Sequence, residues 1–559
     1  MSCLKGCSGS EEPSSSRNPE IQGWKGNLKR FIYRSPIPFT SVCFWVALIF
    51  LILIATSCQV LPEPPRLATA TAQAALPPSP SPEPLIMPVD ESANSVQATS
   101  VSSAQPILDG QPNPSLTIWV PEKSEAHQEV VNDIVTNFQD THNVNVEVLF
   151  VAPNLLPDLV AAITPTSTAT LPDIIIHPIE YTIGWAEQGI LNLDAAETAV
   201  TNMGADTFNQ AALELVSVNG QPAAIPSDGF QQILIYRTDW FDERNLATPD
   251  NYDTMLTAAE AIYDLENLRS GFVIPTESNL QSTQKVFEHL AAANGCQLIN
   301  EAGEVQLTNP ACNEAISFYY DIVHQFSPTG VQTDTSTRNA YLEGRTGMIM
   351  TPSTILPQLA GLDENNVPSC PDCNRNIKHL AENSGIITML SGRNGASANF
   401  GEFTNLGITS EADMETAVLF AEYWFNEGYE TWLAVESERK VPLRQGTDTN
   451  PTQYIDKWGR EPLAGSDQSL EDLYGEEVVT QLRDGIAESN RWGIPQGQGG
   501  IVTDLYRELA LSVVLQEMLS GYFTTDKTIY EAYQRVLEFI PNYAFEVVLE
   551  PTATPEPEE

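Results

Sequence analysis

A short polar string between two apolar runs, Ser227-Asp228-Gly229-Phe230, carries the first candidates for chemistry in this chain. An Asp beside a Gly and a Phe, held between two strands, lines either a cleft or an ordinary polar loop. In a cleft, Asp228 would accept hydrogen bonds from hydroxyls or face a cation, and Phe230 would offer a flat apolar surface to a ring. Glu122 and His177 are candidates of the same kind. Each stands just after a strand-like run, the position at which parallel α/β sheets hold their ligands. Catalytic signatures are missing: there is no His-Glu-x-x-His, no Gly-x-Ser-x-Gly and no phosphate-binding loop. Two carboxylates distant in sequence could still meet for glycoside hydrolysis, but with 73 acidic residues that pattern has little specificity.

Four cysteines, Cys296, Cys312, Cys370 and Cys373, form an even set that outside a cell favours disulfides. The string from Cys296 to Cys312 reads as a hairpin with Gly303 at its tip, and Cys-Pro-Asp-Cys at 370–373 would close a tight loop. The rival is a four-Cys zinc site, yet fifteen residues separate the first pair where such sites use roughly two to four. Asp363-Glu364-Asn365-Asn366 could ligate calcium, but the EF-hand spacing and closing Glu are absent. Neither a metal nor a cofactor is expected.

These residues need a scaffold. Residues 115–120 read as a first strand, and Val131, Ile134, Val135 and Phe138 follow at helical spacing. Val144, Val146 and Val148 alternate into a second strand, and Ile174-Ile175-Ile176 make a third. Strand, helix, strand, helix, strand is the pattern of a parallel sheet covered on both faces. Asn219-Gly220 signals a hairpin turn, and after it two strands are expected, separated by the bend at 227–229. Asn309-Pro310 opens a helix with Ile316, Tyr319 and Val323 on one face. Ser410 is expected to cap a helix carrying Met414, Val418, Ala421 and Phe425, and Ile529, Tyr533, Val536 and Ile540 give another apolar face.

The string IPSDGFQQILIYRTDWFDERNLATPDNYDTMLTAAEAIYD resembles a passage of the family 1 extracellular solute-binding proteins, the sugar receptors of ATP-binding-cassette importers. There it is the first crossing between two α/β lobes. YTIGWAEQGILNLD, RNAYLEGRTGMIMTPST, NFGEFTNLGITS and Val441-Pro442-Leu443-Arg444 resemble further family passages, in order, over about 115–549. The resemblance implies an α/β, two-lobe periplasmic-binding-protein-like fold with three interlobe crossings. It places 115–226 and 354–403 in the N-terminal lobe, 227–353 and 404–549 in the C-terminal lobe. It also adds Trp185, Ser353, Glu402 and Arg444 to Glu122, His177, Asp228 and Phe230 as ligand-binding candidates. Aromatics would stack on a sugar and the others would hydrogen-bond its hydroxyls. Ser353 lies where maltodextrin receptors have an aromatic platform, and Trp492 could replace such an aromatic.

The remainder fits a tethered receptor. Lys25, Lys29, Arg30 and Arg34 precede an uncharged apolar run at 41–58 that ends Ala-Thr-Ser-Cys, similar to a lipoprotein signal with Cys58 as the lipidated residue. An uncleaved membrane anchor is the alternative. Residues 59–114, rich in Pro, Ala, Ser and Thr, are expected to be a disordered tether, and 550–559 a disordered acidic tail. A net charge of −46 argues against a nucleic-acid surface. The expected protein is a monomeric, lipid-anchored extracellular receptor that is not an enzyme. It captures a sugar or oligosaccharide for an ABC permease; a cationic ligand such as a polyamine and a surface-tethered glycoside hydrolase are the alternatives.

Overall fold

A computed structural model describes residues 115–541, apart from 123, 164, 165, 168, 464 and 487. The apolar run ending at Cys58, the proline-rich stretch and the acidic tail lie outside the described residues. Three parallel strands come first, in the spatial order Asn145–Phe150, Ser115–Val120, Ile174–Pro178. Helix Glu125–His142 crosses between the first two in sequence and buries Val131, Ile134, Val135 and Phe138, the set its periodicity marks. This is the expected opening of an α/β lobe, since a parallel pair needs a crossover to connect it.

The organising element is the strand Ile225–Arg237. Asn219 and Gly220 both have positive φ, 54° and 83°, and form the turn between the short strands Ser217–Val218 and Gln221–Pro222 that precedes it. Residues 227–229 are not a bend between two strands. They continue one strand of 13 residues, nearly all of it buried. It is held there because its two halves have different partners. Residues 225–231 pair antiparallel with Gly401–Ile408, whereas 232–236 pair antiparallel with Thr346–Pro352. Ser384–Ile387 also pairs with its end and Val441–Pro442 with Asp228 and Gly229. Gly229 is required by this crowding: a Cβ there would stand 2.5 Å from the Glu402 carbonyl oxygen. The pairing with Gly401–Ile408 carries a register shift between Thr404 and Asn405, opposite Ser227.

The crossings differ from those expected. Thr346–Pro352 does not return the chain to the first lobe; it lies beside the second half of the long strand and parallel to Ser270–Val273. Residues 354–400 stay there too, since Ile355, Leu359, Leu380 and Leu390 join the core of Phe272, Phe287 and Leu290. The return comes at Gly401–Ile408, which pairs with Ile174–Pro178. Helix Met414–Tyr423 then packs on the first lobe, Phe420 edge-on to Phe138 at 5.0 Å. Tyr454 belongs to that same core, whereas Trp458 and Leu463 join the other. The segments 354–403 and 404 to about 454 therefore pack in the opposite sense to the one expected. Apolar complementarity decides it: Leu406, Ile408, Phe420 and Trp424 fill the face of the parallel sheet. The cap of that helix is Asp413, which accepts from the Thr416 amide, rather than Ser410.

Cys296–Cys312 and Cys370–Cys373 are disulfides, and Gly303 turns the first loop with φ 79°. Closing a loop of 16 residues' separation restricts the unfolded chain by about 3 kcal/mol. Replacing Cys296 and Cys312 together by Ser is expected to lower unfolding free energy by about that amount, read from urea titration. The same change at Cys370 and Cys373 is expected to cost less, because their loop is shorter.

Candidate functional site

The cleft lies where the long strand passes from one lobe to the other. Asp228 and Phe230 come from that strand, and Glu402 from Gly401–Ile408 beside it. Glu122 follows the first strand, and His177 ends Ile174–Pro178. Glu180 and Tyr181 open helix Ile179–Glu187, and Gln281 and Lys285 reach across from helix Gln281–Ala293 of the second lobe. With Trp432, Arg439 and Lys440 these residues line a cavity of about 250 Å³.

Two charge clusters flank it. In the first, Arg439 donates to Glu122 at 2.7 Å and to the His127 ring at 3.0 Å. Asp228, 2% exposed, accepts from the Ser227 hydroxyl at 2.6 Å and the Trp432 indole N–H at 2.7 Å. Burial raises its pKa above the ordinary value, with the Lys440 charge opposing. Lys440 lies 3.6 Å from the Trp432 ring centroid and donates to the Trp432 carbonyl. Burial pushes it down to about 7, against the pull of Asp228.

In the second cluster Lys285 spans two carboxylates, Glu402 at 2.7 Å and Glu180 at 3.0 Å. Behind it, Arg491 is 3.3 Å from Glu288, 3.7 Å from Glu180 and 3.9 Å from Glu402. Burial lifts the Glu402 carboxyl above its ordinary value, only partly offset by Lys285. At Glu180 burial pushes up too, but Lys285 and Arg491 outweigh it and the carboxyl is held below. Gln281 donates to the Tyr181 hydroxyl at 2.6 Å. The Lys285 and Gln281 contacts are direct links between the lobes at the cleft.

Residues 133–451 match the sequence profile of a family described as bacterial extracellular solute-binding protein. The match takes in more than half of the chain and every element lining the cleft except the first strand. This chain belongs to the bacterial extracellular solute-binding proteins. Such proteins are receptors for a solute, not enzymes, and act outside the cell or in the periplasm. A putative ABC transporter periplasmic-binding protein of Escherichia coli K12, YcjN, is 24% identical over 197 residues, 35% of this chain. The matched stretch spans 45% of that relative's length. Among solved structures, maltose-bound MalE3 of T. maritima superposes with a TM-score of 0.59 at 15% identity, over 76% of this chain and 98% of that one. The GacH receptor of Streptomyces glaucescens gives 0.56 at 16% identity, over 78% and 100%. At these identities the superpositions establish a shared fold.

Within this solute-binding protein, five of the eight residues expected in the site line one cavity: Glu122, His177, Asp228, Phe230 and Glu402. The other three do not. Trp185 is buried, stacked on Tyr181 at 5.1 Å and edge-on to His177, because it sits on the inward face of its helix. Ser353 donates to the Glu438 carbonyl at 3.3 Å; its neighbours Thr351, Pro352 and Thr354 line the adjoining cavity instead. Arg444 turns away and clamps the first lobe through the Phe425 carbonyl at 2.6 Å and Asn426 at 2.9 Å. Trp492 is also structural, donating to the Cys296 carbonyl. Sequence reasoning missed Glu180, Tyr181, Lys285, Arg439 and Lys440. The adjacent pair Arg439-Lys440 was the available signal, in a chain with only 27 basic residues.

Three buried histidines give the receptor an acid sensitivity. Burial lowers His127 to about 2, with Lys440 and Arg439 adding to it, and lowers His177 and His289 to about 4. Unfolded histidine titrates near 6.5. Between that value and pH 4 the unfolded chain binds protons that the folded chain does not, so folding stability falls as pH is lowered through this window. Glu438, raised to about 7 by burial, acts in the opposite sense, as do Asp228 and Glu402, whose carboxyls burial also raises. The contribution of one histidine is read by difference: as pH is lowered from 7 to 4, the urea midpoint of His289→Gln relative to wild type is expected to move in the variant's favour.

Proposed function

We propose that this receptor captures a saccharide between its lobes and hands it to an ABC-type permease. It does so without chemical turnover, as a monomer anchored to the outer face of the membrane through a lipidated Cys58. The observation carrying the saccharide reading is the internal charge balance of the cleft. Glu122 is held by Arg439, Asp228 by the Ser227 hydroxyl and the Trp432 indole N–H, and Glu180 and Glu402 share Lys285. A cationic ligand such as a polyamine needs uncommitted carboxylates, which this lining does not offer. A neutral polyhydroxylated ligand can use the same groups as donors and acceptors while Phe230 supplies apolar ring surface. Solved structures of the same fold were obtained with maltose and with acarbose, and another is of a cyclic alpha-maltosyl-1,6-maltose binding protein, which supports this ligand class. A hydrolase would need one free carboxyl acid and one free base, whereas Glu180 and Glu402 are tied to one ammonium.

The test is thermal unfolding with a panel of mono- and oligosaccharides and polyamines, followed by product analysis. A saccharide at a hundred times its dissociation constant adds about 2.7 kcal/mol to stability and is expected back unchanged. Phe230→Ala is expected to weaken that saccharide about tenfold or more while the unliganded melting temperature moves little, since Phe230 is only half-buried. A shift with polyamines alone, or cleavage of the sugar, would overturn the reading.

A further inference from the structure

The cleft continues past Phe230. On the second-lobe side a compartment of about 340 Å³ opens, sharing Phe230, Gln281, Lys285 and Glu402 with the first. Val286, Met350 and Ile355 give it apolar walls. Set among them are Ser282 Oγ, Thr337 Oγ1, Arg338 Nε and Gln358 Oε1, four side-chain atoms shut off from solvent with no hydrogen-bond partner. A buried polar atom left unsatisfied is costly. Four in one cavity wall mark groups arranged for something that is not protein. Thr337 is itself only 2% exposed.

Arg338 decides what that is. Lys285 is committed to Glu180 and Glu402, and Arg439 to Glu122. Arg338, on helix Asp334–Leu342, makes no ion pair among the described residues. Asp334, one turn earlier and also lining the compartment, is exposed and favoured where it stands by the helix N-terminus. A guanidinium fork and two hydroxyls in one lining match a carboxylate, which accepts from donors of both kinds. A phosphate dianion fits less well, because one free cation would face it together with two lining carboxylates.

We propose that this compartment binds the carboxylate of an acidic sugar unit, with Arg338 as counter-ion and the Ser282 and Thr337 hydroxyls as further donors. The proposal rests on the saccharide reading of the cleft and narrows it: the ligand has at least two parts, and the part beyond Phe230 is a uronic acid.

The test is calorimetric titration of the full-length chain in a sugar-free polyoxyethylene detergent. The probes are matched gluco- and galacto-configured disaccharides that differ only in carrying a carboxylate or a hydroxymethyl group at C6, with the phosphorylated analogue as a third arm. The acidic member of a pair is expected to bind at least tenfold more tightly than its neutral partner, and Arg338→Gln to abolish that advantage. Thr337→Val is expected to reduce it. Unchanged unliganded melting temperatures establish that the variants fold, and the wild-type comparison stands without them. Equal or tighter binding of the neutral members, or an acid advantage that survives Arg338→Gln, overturns the proposal and leaves the saccharide reading standing. A preference for the phosphorylated analogue overturns the carboxylate assignment. No heat with any member, neutral or acidic, overturns both.

Discussion

Arg491→Met is expected to lower the unfolding free energy by about 3–5 kcal/mol, the usual cost of removing one partner from a buried ionic network. Arg491 is 1% exposed at its side chain and stands among Glu180, Glu288 and Glu402. It also donates to the Gly401 carbonyl at 3.2 Å, at the start of the strand that returns the chain to the first lobe. Without it, Lys285 is left to compensate Glu180 and Glu402, while Glu288 keeps only the Tyr506 hydroxyl at 2.5 Å and the Trp492 amide at 2.8 Å. Glu180 and Glu402, both held toward the ionised form by Arg491, respond by taking up protons more readily, so the defect is expected to shrink toward low pH. Urea titration at pH 7.5 and pH 5 measures both effects. A variant as stable as wild type at pH 7.5 would mean that the network contributes no net stability.

The second large effect is at Asp228. Asp228→Ala removes the acceptor of the Trp432 indole N–H and the Ser227 hydroxyl and leaves Lys440, 1% exposed, without the carboxylate that most opposes the effect of its burial. About 3–5 kcal/mol of stability is expected to be lost, together with ligand binding. Asp228→Asn keeps an acceptor at the same place and is expected to lose less, about 1–3 kcal/mol. Because Asp228 opposes the burial that already lowers Lys440 to about 7, both variants let Lys440 shed its proton at a lower pH. The pair of variants separates the roles. If Asp228→Asn retains stability but loses the ligand, the carboxylate serves recognition; if both fall together, it serves the hinge strand.

Much of this was legible in the chain. Regular apolar spacing gave the opening strands and helix Glu125–His142 because local periodicity and burial there agree. Five cleft residues were found: Glu122 and His177 because each stands at the end of a strand-like run, Asp228 and Phe230 from the polar string between two apolar runs, and Glu402 through the family resemblance. The ion partners were not legible. Lys285 meets Glu402 across 117 residues and Arg491 meets Glu288 across 203, and no short-range pattern encodes such pairings.

The chain alone pointed to the receptor class, through a string of motifs in family order, and to disulfides among four cysteines, through parity; which cysteines pair came from the structure. It also marked the strand ends that present Glu122 and His177, since β-branched runs and turns are local properties. Only the tertiary structure decided that residues 227–229 continue one strand through both lobes, that 354–400 stay in the second lobe, and that Trp185, Ser353 and Arg444 face away from the cleft. The reason is that each depends on which apolar surface a segment covers. That is settled by complementarity between elements hundreds of residues apart, and the side of a strand or helix that becomes core is fixed only when its partner arrives.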